Sequence, residues 1–75
     1  PYLLYVRNRD KPGFVGNLGR MLGDSGVNIA TFGMGRTAPG EDAICLVVVD
    51  QPIDDFLLAK VCSIPQVMMV HALRF

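Results

Sequence analysis

Seventy-five residues suffice for one domain and no more. Seven basic and seven acidic side chains cancel to a formal net charge of zero, which removes the electrostatic footprint that nucleic-acid binding needs. The longest apolar runs, Ala43–Val49 and Val67–Val70, are too short to span a bilayer.

A single histidine, His71, and two cysteines without a neighbour at metal-ligand spacing exclude a zinc cluster. Cys45 and Cys62 both sit in apolar runs, which predicts two buried free thiols in a reducing cytoplasm. A chain this short buries only about 60% of its unfolded surface and needs further support. With disulfides and metals set aside, pairing with a second copy is the remaining source.

Tyr2–Asn8 reads as a strand that breaks at Arg9-Asp10-Lys11. Pro12-Gly13 then opens a helix, since proline suits a first helical turn. Phe14, Leu18, Met21 and Leu22 recur at helical spacing, with Val15 on the flank. Gly16, Gly19 and Gly23 form a second stripe. Each costs about 1 kcal/mol against alanine, so close backbone approach to the sheet or to a partner helix is expected. Gly26 supplies the C-terminal cap.

Val27–Arg36 is a second strand, weakened at Gly33 and Gly35, and Thr37-Ala38-Pro39-Gly40 has turn chemistry. Ala43–Val49 is almost uninterruptedly apolar and predicts a central strand buried on both faces. Asp50–Pro52 begins a second helix, with Asp54 and Asp55 in its first turn. Its expected buried face is Ile53, Phe56, Leu57, Val61 and Ile64, and Pro65 ends it. Val67–Phe75 is the last strand.

This order, βαββαβ, is the ferredoxin-like α+β fold: a four-stranded antiparallel sheet of order 4-1-3-2 with both helices on one face. Strand two is then an edge lying beside the glycine-striped first helix, and together they predict a homodimer surface. The opposite sheet face is partly apolar too.

Such folds host many functions, so chemistry must be sought in the residues. Asn8-Arg9-Asp10-Lys11-Pro12-Gly13-Phe14 sets a polar loop against a helix N-terminus. Backbone N–H groups at Gly13 and Phe14 suit a carboxylate, Asp10 suits an ammonium group, and Asn8 suits a polar side chain. The same residues have a second reading, in which Asp10 only caps the helix and Asn8 closes the turn. No nucleophile–base pair points to catalysis by this chain. Its third strand lacks the aromatics of an RNA-binding sheet.

Asp10-Lys11-Pro12-Gly13-Phe14-Val15, followed by Gly26-Val27-Asn28-Ile29-Ala30, resembles the ACT domain family. There a D/N-[RK]-P-G turn starts the first helix and a G-[VI]-N-I segment enters the second strand. The resemblance runs over residues 1–75. Val27-Asn28-Ile29-Ala30-Thr31, Met34-Gly35-Arg36 and the ending Ala72-Leu73-Arg74-Phe75 are similar to the C-terminal regulatory ACT domains of D-3-phosphoglycerate dehydrogenases.

The resemblance implies a non-catalytic fragment from the C-terminal part of a longer NAD-dependent dehydrogenase of serine synthesis. The fragment itself would carry no cofactor. It implies, further, that L-serine binds between two paired domains, with the loop of one facing the second-strand entry of the other. Carried over, the loop contacts fall on Asn8 and Asp10 and the cross-subunit contact on Asn28 of the partner; Gly13, Phe14 and Ile29 complete the expected ligand-binding set. Serine-sensitive members carry histidine at the position of Asn8 and asparagine at that of Asp10. The alternative within the same resemblance is a dimerisation domain insensitive to any ligand.

Overall fold

The computed structural model describes residues 2–36 and 41–74. In chain order the elements are β1 (Tyr2–Arg9), α1 (Phe14–Asp24), β2 (Ile29–Arg36), β3 (Asp42–Val49), α2 (Asp55–Cys62) and β4 (Val67–Arg74). The sheet order is β2-β3-β1-β4, with every neighbouring pair antiparallel, as the sequence predicts. The turn expected at Thr37–Gly40, and the terminal residues Pro1 and Phe75, lie outside the described residues.

The core forms between the helices and one sheet face. Leu4 and Val6 from β1, with Cys45, Val47 and Val49 from β3, meet Phe14, Leu18 and Leu22 from α1. Leu57 and Val61 from α2, with Ile64 and Val70, complete it. Strand alternation selects this set, because every second residue of β1 and β3 points toward the helices.

Several expectations change. β3 is central, but only its helix-facing side is covered: Ile44 and Leu46 on the other side are exposed. Alternation decides this, since two helices on one face leave the other bare. Phe56 is 73% exposed and belongs to no buried face, whereas Leu57 and Val61 are buried. α2 begins later than Asp50–Pro52, because Asp54 is its cap and accepts the Leu57 N–H at 2.8 Å. Cys45 is buried, but Cys62, at the end of α2, is exposed.

β2 starts at Ile29 rather than Val27. Val27 is drawn into the core, and the β2–β3 register shifts between Ile29 and Thr31. A Cβ added at Gly16, Gly19 or Gly23 would meet no atom within 4 Å, so the stripe makes no close approach to this chain's own sheet.

Candidate functional site

The polar loop is built from both flanks. The Arg9 N–H donates to the Gln66 carbonyl at 2.8 Å, and the Asp10 N–H donates to the Glu41 carbonyl at 2.8 Å. The Lys11 N–H returns to the Arg9 carbonyl at 2.9 Å and tightens the turn. Gly13 has φ +89°, a left-handed conformation that glycine adopts without a Cβ penalty, and it is the N-cap of α1. The helix proper therefore starts at Phe14, and Pro12 lies in the turn before it rather than in its first turn. Phe14 is buried in the core and anchors this end of the helix.

Asn8 is 1% exposed, on the helix side of β1. Its Nδ2 donates to the Arg9 carbonyl at 3.0 Å and its Oδ1 accepts from Cys45 Sγ at 3.3 Å. Burial pushes the Cys45 thiol from 9.0 up to about 11, and the charge of the Asp10 carboxylate adds to that rise. Asn8, Asp10, Gly13 and Phe14 thus gather at one end of the sheet.

Asn28 and Ile29 stand at the other end. Asn8 pairs with Ala43 and Ile29 pairs with Val49, six residues apart along β3. At the rise of a strand that is about 20 Å, so one chain does not bring the two halves together. Asn28 is exposed and held by its neighbours: its N–H donates to Gln51 Oε1 and its Nδ2 to Asp50 Oδ2, both at 2.7 Å. The Asp50 N–H returns to the Asn28 carbonyl at 3.0 Å. These bonds engage the amide nitrogens of Asn28, and its side-chain carbonyl takes part in neither.

Between the two ends runs an apolar flank. Phe32 and Met34 pair with Val47 and Cys45, which places them on the helix side of β2. They are nevertheless 37% and 40% exposed, because β2 is an edge that the chain's own helices do not cover. Val15 of α1 is exposed as well, together with Gly16 and Gly23.

Sequence reasoning missed Cys45 as the partner of Asn8, and Asp50 and Gln51 as the partners of Asn28. Only the strand register brings these residues together, across 37 and 22–23 positions of sequence. Among the described residues no group of three His, Cys, Asp or Glu side chains could hold a metal ion. No helix among them is long and apolar enough to cross a membrane.

No family model matches the chain. Over 69 residues it is 33% identical to the D-3-phosphoglycerate dehydrogenase of Bacillus subtilis (strain 168), a match covering 92% of this chain and 13% of that enzyme. The corresponding enzyme of Synechocystis sp. is 33% identical over 73 residues, again 13% of its length. That of Methanocaldococcus jannaschii is 32% identical over 72 residues. The chain thus spans about one seventh of the curated relatives it matches.

Among solved structures, the ACT domain of a GTP pyrophosphokinase from Chlorobium tepidum superposes with a TM-score of 0.71 at 19% identity, covering 96% of this chain and 95% of that one. A homoserine dehydrogenase from Thiobacillus denitrificans gives 0.68 at 24% identity, over 16% of its length. In fold the chain is similar to an ACT domain. Its sequence relatives are D-3-phosphoglycerate dehydrogenases, and it is consistent with the C-terminal ACT domain of that enzyme.

Proposed function

We propose that this domain binds a free amino acid, L-serine in the first instance, between two paired copies and regulates a D-3-phosphoglycerate dehydrogenase of which it is part. The parent enzyme would use NAD and work in the cytoplasm, and this domain would contribute neither catalysis nor a cofactor. The observation that carries the reading is the separation of the two halves at opposite ends of one sheet. Two copies joined antiparallel along β2 would bring the loop end of each beside the second-strand entry of the other. Each pairing then builds two equivalent sites, and the exposed Phe32, Met34 and Val15 offer an apolar seam for it.

In such a site Asp10 would meet the ammonium group. The Gly13–Phe14 end of α1 would face the carboxylate, and the partner's Asn28 and Ile29 would close the pocket. Asn8 is engaged at both ends of its amide and shapes the loop from below. Serine would act only through unequal affinity for two arrangements of the pair, a coupling of about 1–3 kcal/mol being typical.

That same burial of Asn8 favours a second reading, a ligand-insensitive dimerisation domain. Mixing two inactive variants separates them. Asp10→Ala and Asn28→Ala should each abolish serine binding, yet mixed dimers should regain one intact site in two. If the mixture stays silent while the wild-type chain binds, the site lies within one chain and the cross-chain reading fails. If the wild-type dimer ignores every amino acid, the assembly reading stands instead.

A further inference from the structure

The loop that carries Asp10 rests on a short chain of hydrogen bonds that ends on a buried thiol. Cys45 is fully buried in β3, and its Sγ lies 3.3 Å from Asn8 Oδ1. Burial keeps the thiol protonated, with its ionisation raised to about 11, so it stands as the donor of this pair. The other end of the Asn8 amide donates to the Arg9 carbonyl at 3.0 Å. That carbonyl also accepts the Lys11 N–H at 2.9 Å, so it is the pivot of the turn leading to Gly13.

The direction of the amide matters for this pivot. Rotated by half a turn, Asn8 would set its own carbonyl against the Arg9 carbonyl, two acceptors without a proton between them. It would also turn its NH2 toward sulfur, a weak acceptor. The thiol donor selects the orientation that supports the loop. In the selected orientation the Arg9–Asp10 peptide is held by three groups: Asn8 and the Lys11 N–H on its carbonyl, and the Glu41 carbonyl on its N–H.

We infer that Cys45 is a positioning residue for the amino-acid loop, acting through the Asn8 amide on the Arg9 carbonyl. Its effect on affinity rests on the amino-acid reading above, whereas its effect on the loop stands without any ligand. Cys45→Ala removes the donor, Cys45→Ser restores one, and Asn8→Ala removes the intermediary while leaving the thiol. Two readouts apply: amide hydrogen exchange at Arg9, Asp10 and Lys11 against core amides such as Val47 and Val61, and serine affinity.

In Cys45→Ala and in Asn8→Ala, the loop amides should exchange about tenfold faster beyond any change at the core amides, as suits the loss of one hydrogen bond. Serine affinity should fall by a similar factor. Cys45→Ser should recover both. Should Cys45→Ala fail to fold, Asn8→Ala alone reads the same loop amides. Loop and core amides shifting together, or a serine variant as impaired as the alanine one, would reduce Cys45 to ordinary core filling and overturn the assignment. If the wild-type chain binds no amino acid, the amino-acid reading fails, and the exchange data still decide the role of Cys45.

Discussion

The two helices of this domain begin in opposite ways. α2 starts on Asp54, whose carboxylate accepts the Leu57 N–H, and it carries Asp55 in its first turn. α1 starts on a left-handed glycine, with no side-chain cap and no acidic residue in its first turn. One helix start is completed by its own sequence. The other is left without negative charge in its first turn, behind a loop braced from three sides. A helix N-terminus in that state is suited to an anion from outside, which is where the proposed carboxylate would sit. The contrast separates a helix end closed by its own side chain from one left open, which the proposed ligand would fill.

The sharpest way to break the comparison uses the phenylalanine in each first turn. Phe14 is 1% exposed and Phe56 is 73% exposed. Phe14→Ala should cost about 3–5 kcal/mol in urea unfolding. Phe56→Ala should stay within about 0.5 kcal/mol of wild type, as surface substitutions do. Similar losses at both would contradict the assigned burial.

The caps give the next effect. Gly13→Ala forces a Cβ into φ +89° and should cost about 1–2 kcal/mol through local backbone strain, although the space around it is open. Asp54→Ala should cost about 1 kcal/mol by losing the Leu57 bond. The distinguishing readout is serine affinity, which should fall in Gly13→Ala and remain unchanged in Asp54→Ala.

A further effect is a dependence on pH. Cys45 is a weak acid whose folded value, about 11, stands above the ordinary 9.0. Its contribution is fully present below pH 9 and is lost as pH rises toward 11, because the unfolded chain releases the proton first. Comparing alkaline unfolding of wild type and Cys45→Ala should show the wild type losing more stability across that window. Parallel curves would refute the assignment.

Much of this was legible in the sequence. Apolar periodicity in Phe14, Leu18 and Leu22 located α1 and its buried face, and the polar break at Arg9–Lys11 located the loop. The element order then determined the sheet. What stayed hidden depended on register and on competing roles for single residues. Phe56 fits a helical stripe by spacing, but the buried face runs through Leu57 and Val61, and Phe56 lies about 100° round the helix from Leu57, beneath Lys60. β3 is apolar on both sides, and nothing in its composition says that only one side is covered. Asn8 carried two readings because its partner, Cys45, lies 37 positions away and meets it only through the β1–β3 pairing. Asn28 posed the same difficulty with Asp50 and Gln51.

The central claim is a site shared by two chains, and calorimetric titration of the purified domain, alongside its mass in solution, tests it most directly. L-serine should give saturable heat at one site per chain, with glycine and larger amino acids weaker, and Asn28→Ala should abolish it. A stable dimer that yields no heat with any amino acid would contradict the account and leave an assembly domain in its place.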